Sequence, residues 1–293
     1  MSERDLPFDL AVVGDDGRKG GEFALLAAAA LHKAFGTTAH VIHSLDVPRA
    51  DELGATSPDA GSHIARLAES AMDVVRHRAD ARLGRGKAET QVDLIPPHAA
   101  LIRAARTRHA DLIVLGPHRK QHFFDLGGTQ RAVLSGAPCH VWSQPTEPRS
   151  ITGILAPCDL SERSLGALEV AVGIARRLRV PITALHVSEP PVLLDPMANG
   201  SADLVAPAYV LEGIHEAART RFEERMSAVD WTGVEHLERF TVGPVARSIE
   251  DARRDGDLVV MGTRGHTGLG AAILGGVTND VLKQASGPVL ALR

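Results

Sequence analysis

The chain has 293 residues, about twice the usual single-domain length, so two separate cores are expected. Hydrophobic residues make up 44%, charged residues 23%, and the mean hydropathy is −0.02, which excludes disordered and collagen-like chains. With 32 basic against 36 acidic residues and 3% aromatics, it lacks the positive field and stacking rings on which nucleic-acid binding relies.

The longest apolar run, Phe23 to Leu31, falls well short of the roughly 20 residues that cross a bilayer. Met1-Ser2-Glu3-Arg4-Asp5 carries no signal-peptide pattern, and Cys139 and Cys158 are too few for a disulfide framework. A cytoplasmic protein with neither membrane nor nucleic acid as partner is expected.

In chain order, Leu10-Ala11-Val12-Val13-Gly14 reads as a first buried strand, followed by the acids Asp15 and Asp16. A second strand spans Thr38 to His43, and a Pro-rich connection, Pro48 to Pro58, comes after it. Ile64, Leu67, Ala71 and Val74 step at helical spacing and predict an apolar stripe. Leu112 to Leu115 reads as a fully buried strand ending at Gly116, and Pro145 to Pro148 marks a junction. The pattern then begins again. Ile154 to Asp159 matches Leu10 to Asp16, Pro181 to His186 matches Thr38 to His43, and Gly256 to Gly262 matches Ala110 to Gly116. Leu165, Leu168, Val172 and Ala175 form a helical stripe, Pro190 to Pro207 repeats the Pro-rich connection, and Val289 to Leu292 falls under Val141-Trp142 and their neighbours.

Each half therefore alternates five strands with helices, which predicts an α/β fold with a parallel sheet covered on both faces. The expected division is residues 1–147 and 148–293. In such a sheet ligands bind at the carboxyl ends of the strands where strand order reverses. In the second half those ends carry Pro157-Cys158-Asp159 and the glycine-dense run from Gly262 through Gly265 and His266 to Gly275-Gly276. Glycine lets backbone N–H groups approach an anion, and a helix opening near Val277 adds a favourable dipole. The plain alternative is a tight loop, with Asp159 capping the following helix.

Gly262-x-x-Gly265, nine residues, Gly275, and the closing Gly287-Pro288-Val289-Leu290 resemble the nucleotide motif of the universal stress protein family, as does Asp159-Leu160-Ser161-Glu162-Arg163-Ser164-Leu165. The resemblance covers nearly all of the second half and, more weakly, the first. It implies two tandem doubly wound domains, each with strand order 3-2-1-4-5, and ATP, with or without Mg, in the second-half crevice. Pro157 and Asp159 would then lie beside adenine and ribose, and Val187 against the base. Met261, Gly262 and Gly265 would line the ribose and first phosphate, with the amides of Gly275, Gly276 and Val277 on the phosphates. The family has Ser or Thr where Gly276 stands, and Thr278 is the nearest substitute hydroxyl. A stress-response regulatory role without catalytic residues is implied. A nucleotide-independent protein-interaction module is the alternative, and a nucleotide hydrolase or transferase a further one.

The first half departs more. Asp16 keeps the acid, Gly14 replaces Pro157, Ser44 replaces Val187, Arg119 replaces Gly265, and the stretch from Gly116 to Gly127-Gly128 is shorter than its counterpart. A pocket-poor first half is expected, with Arg119 and Lys120 on a solvated turn. His118 and His122 are weak metal candidates, Cys158 reads as an apolar packer, and His43 and His186 share an equivalent strand end. No Walker A, G-x-S-x-G or H-E-x-x-H signature is present. The two halves are expected to pair through their last strands as an intrachain pseudo-dimer, which leaves a homodimer and a regulatory protein partner as further assemblies.

Overall fold

The structure, a computed structural model, describes residues 8–45, 60–117, 127–189, 193–194, 203–204, 208–263 and 275–293. The first half runs β1 (Leu10–Gly14), α1 (Lys19–Phe35), β2 (Thr38–Ser44), α2 (Ala60–Leu83), β3 (Ala88–Asp93), α3 (Pro97–Thr107), β4 (Leu112–Leu115), α4 (Gly128–Gly136) and β5 (His140–Ser143). The second runs β6 (Gly153–Pro157), α5 (Glu162–Leu178), β7 (Ile182–Ser188), β8 (Leu193–Leu194), β9 (Asp203–Leu204), α6 (Ala208–Ser227), β10 (His236–Val242), α7 (Val245–Ala252), β11 (Asp257–Gly262), α8 (Gly276–Gln284) and β12 (Val289–Leu292).

Strands of alternating Val, Leu, Ile and Ala put apolar side chains on both sheet faces, and each side takes its own helices. Ala11 and Val13 of β1 point into a core with α1 and α2, whereas Val12 points into one with α3 and α4. Both cores continue into the second half, the first over α5 and α6, the second over α7 and α8. Strand order is β3-β2-β1-β4-β5 in the first half and β10-β7-β6-β11-β12 in the second, so both show the 3-2-1-4-5 order. The halves join because β5 pairs antiparallel with β12, setting Ser143 opposite Val289, Trp142 opposite Leu290 and Val141 opposite Ala291. One ten-stranded sheet results, parallel within each half, with the carboxyl ends of the two sets of strands at opposite edges.

Two expectations change. The Leu67 and Val74 stripe is on a helix, α2, but both side chains are about half exposed. The face that packs carries Val75, Ala79 and Leu83, because Ile64 and Ala71 belong to the inner row and Leu67 and Val74 to the outer. The connection between Pro190 and Pro207 contains the small antiparallel β8–β9 ladder, a pairing its Pro-rich composition did not announce. The rest of that stretch, and Pro48 to Pro58, lie outside the described residues.

Candidate functional site

The second-half crevice opens where β6 and β11 lie side by side while the chain leaves them in opposite directions, to β7 and to β12. Pro157 ends β6, and the chain then turns through Cys158, whose N–H donates to Leu185 O at 2.9 Å. Leu160 adopts a positive φ of 65°, which exposes Asp159 at the rim. The Asp159 carboxylate accepts from Ser161 N–H at 3.0 Å and from Ser161 Oγ at 2.5 Å. Ser161 itself caps α5, its Oγ accepting from Ser164 N–H. Asp159 thus braces the capping residue and does not cap the helix directly.

Beneath this turn, His186 Nδ1 donates to Cys158 O at 2.8 Å while its ring stacks on Phe222 and leans on Phe240. Burial pulls its pKa below the usual histidine value, so the ring is neutral at physiological pH. The first half repeats the contact, with His43 Nδ1 donating to Asp15 O at 2.7 Å. The two histidines therefore fix the same turn in both halves, as their equivalent positions suggested. Val187, the next residue on β7, is half-buried beside this turn.

On the other wall, Met261 is buried and Gly262 ends β11, paired with Leu292. The helix α8 opens at Gly276 with Gly275 before it and no side-chain cap. The N–H groups of Gly276, Val277 and Thr278 precede the first intrahelical bond, Asn279 N–H to Gly275 O at 3.0 Å. Among the described residues, a Cβ on Gly276 would meet nothing within 4 Å, and Val277 is exposed. Thr278 is different. It is buried, and its Oγ1 donates to Gly262 O at 3.0 Å, tying α8 to the end of β11. Its hydroxyl hydrogen is committed, so it does not replace the donor missing at Gly276. Gly265 and His266 lie outside the described residues, as do Arg119, Lys120, His118 and His122. Among the described residues no cluster of His, Cys, Asp and Glu could hold a metal. Both thiols are buried; burial pushes Cys139 up to about 12 and raises Cys158 as well, so both are inert packing groups.

The first half corrects the expectation that it lacks a pocket. Its described residues line an open cavity of about 530 Å³ at the matching place, between the ends of β1, β2 and β4 and the start of α4. The residue that organises it is Asp15, which sequence reading passed over for its neighbour Asp16. The Asp15 side chain is fully buried and takes Arg78 Nε and Nη2 on its two oxygens, both at 2.9 Å. The hydrogen bonds to Asp15 push the Arg78 pKa above its ordinary value. The second half has Cys158 in this place, and Arg221, matching Arg78, donates to Ala217 O of its own helix.

Asp16 Oδ1 accepts from Arg18 and Gly21 N–H groups at 2.9 and 2.8 Å, holding the start of α1. Gly20, Gly21 and Gly116 allow α1 to sit directly on this turn. A Cβ on Gly116 would lie 1.8 Å from Gly20 O, and one on Gly21 would lie 1.9 Å from Asp15 Oδ1. Gly116 is thus required for packing, whatever else it contacts. The signal for this was the Gly20-Gly21 pair beginning six residues beyond the strand end at Gly14, which is too short a motif to interpret alone.

The family model described as the universal stress protein family matches twice, at residues 8–143 and 151–293. A universal stress protein of Methanocaldococcus jannaschii is 33% identical over 141 residues, which is 48% of this chain and 81% of that protein. One from Mycolicibacterium smegmatis is 34% identical over 143 residues, 47% of each chain. Among solved structures, a universal stress protein from Archaeoglobus fulgidus aligns with a TM-score of 0.63 over 97% of this chain and 96% of its own, at 18% identity, a likeness of fold. With both halves matched and both folded in the same strand order, the chain belongs to the universal stress protein family and carries two copies of its domain in tandem.

Proposed function

We propose that the second half binds an adenine nucleotide, ATP with or without Mg, and that occupancy regulates a stress response through altered contacts with a protein partner. The observation that supports this reading is the start of α8 beside the end of β11, which has no side-chain cap and leaves the Gly276 and Val277 amides ahead of the first intrahelical bond at Asn279. The motif residues around it fit the group in the order the family resemblance implies. Pro157, Asp159 and Val187 stand on the adenosine side, and Met261, Gly262, Gly275 and Gly276 on the phosphate side; Gly265 belongs to the same motif. Thr278 acts as a positioning residue that holds Gly262 and α8 together. The nucleotide, when bound, brings a triphosphate whose charge the helix amides stabilise. The reading is of nucleotide binding with differential affinity for two conformations.

Calorimetric titration with Mg-ATP tests the reading, beside a Gly262→Val variant whose side chain obstructs the phosphate side. Saturable binding in the parent chain, lost in the variant, is the expected result. Absence of binding at millimolar ATP in a folded protein would favour the nucleotide-independent interaction module, for which the missing hydroxyl at Gly276 is the supporting observation.

A further inference from the structure

The seam between the halves ends on an imidazole. Just past the paired residues of β5 and β12, the Arg293 N–H donates across the seam to His140 Nδ1 at 3.0 Å. The matching amide after β5, Gln144 N–H, goes instead to Leu115 O of its own half at 2.8 Å. The tie is therefore one-sided, with a titratable ring where a ladder would offer a carbonyl.

A backbone amide can only donate, so Nδ1 of His140 keeps its lone pair, and the hydrogen of the neutral ring sits on Nε2. This is the opposite tautomer to that of His43 and His186, whose Nδ1 atoms face carbonyl oxygens. Protonating either of those rings leaves its Nδ1–H contact in place. Protonating His140 puts a hydrogen on Nδ1 against the Arg293 amide hydrogen, and the bond is lost.

The surroundings set when this happens. His140 is half-buried, with the Phe8 ring edge-on at 6.4 Å between centroids. Burial pulls its pKa below the usual histidine value, against the weaker opposing pull of the Asp111 carboxylate. That carboxylate is held in place by the Asp9 and Leu10 N–H groups, each at 3.0 Å from Oδ2. The neighbouring Cys139 thiol stays neutral. The elements around the ring bring Lys33 and His32 near the end of α1, His32 turned to Thr37 O, and Arg177 of α5, whose Nε donates to Ala34 O at 3.2 Å. Arg293 itself is held at a second point, its Nη2 donating to Leu134 O and Ser135 O at 3.0 and 2.6 Å.

We propose that His140 is an acid-sensitive latch of the seam: with Nδ1 bare it holds the amide that follows β12 onto the first half, and once protonated it lets that amide go. The latch stands independently of what either crevice binds.

NMR of the unsubstituted chain tests it. At neutral pH the ¹⁵N-labelled His140 ring is expected to carry its hydrogen on Nε2. On acidification the ring should titrate with a midpoint below 6.5. The Arg293 amide resonance should move with the same midpoint, and its hydrogen exchange, corrected for the intrinsic effect of pH, should quicken about tenfold in the protonated form. In His140→Asn the side-chain oxygen accepts near the place of Nδ1 and does not titrate, so the Arg293 amide is expected to stay still over the same range. A hydrogen on Nδ1 at neutral pH, no titration of the ring down to about pH 4, or an Arg293 amide indifferent to that titration would each overturn the proposal. So would the same amide shift in a folded His140→Asn chain. If that variant does not fold, the tautomer and the shared midpoint in the unsubstituted chain decide alone.

Discussion

Asp15 shows how much one side chain changes between two otherwise matching turns. Its carboxylate is buried and doubly bonded to Arg78, which also reaches Arg18 O at 3.0 Å and so links α2 to the turn after β1. Removing Arg78 leaves a buried charge without its partner. Arg78→Ala is expected to lower stability by about 2–3 kcal/mol, less than for a wholly buried pair because the guanidinium retains some water contact. Urea unfolding measures this, and a loss below about 0.5 kcal/mol would show that water replaces the guanidinium. At the opposite extreme, Gly276 has open space where its Cβ would be. Gly276→Ser restores a hydroxyl beside the α8 amides and is expected to tighten ATP binding roughly tenfold with little change in stability. Unchanged affinity would place the phosphates elsewhere.

At the level of elements, the first βα turn is set by how closely α1 approaches β4. Gly116→Ala would place a methyl carbon against Gly20 O, and the required shift of α1 is expected to cost about 1–3 kcal/mol. Thermal melting of this variant beside Gly276→Ala, which meets nothing, separates the packing clash from the mere loss of a glycine; equal melting temperatures would contradict the close approach. The alternation of strands and helices was legible because buried strands such as Leu112 to Leu115 and stripes such as Leu168, Val172 and Ala175 obey simple periods. The orientation of α2 was not, because Leu67 and Val74 share its helical period with Ile64 and Ala71, and only contact with β3 and α1 decides which row is inner. For the candidate site, glycine spacing identified the second-half crevice. It gave no warning of the first-half cavity, whose walls depend on Asp15, Arg78 and Gln130, residues far apart in the chain and joined only by folding.

Across the whole molecule, the seam between β5 and β12 is buried and apolar, with Val141, Leu290 and Ala291 wholly enclosed. Both cores pass through it. Arg293 adds a tie from the second half to the first, donating to Leu134 O and Ser135 O at the end of α4. The two halves are therefore expected to melt together, and calorimetry should show one endotherm. Two well-separated endotherms would mean that each half is stable without the seam.

The short segment from Gln144 to Thr152 joins β5 to β6 and makes this pairing an intramolecular event. A tether of such length holds its ends at an effective concentration on the order of millimolar. Dilution then cannot part the halves, and a half cannot exchange its neighbour for an identical copy of itself. The unlike members always meet in equal number, as in a heterodimer whose subunits cannot scramble. Within that fixed partnership, an acid paired with arginine on one side and a thiol on the other coexist without any interface having to sort them.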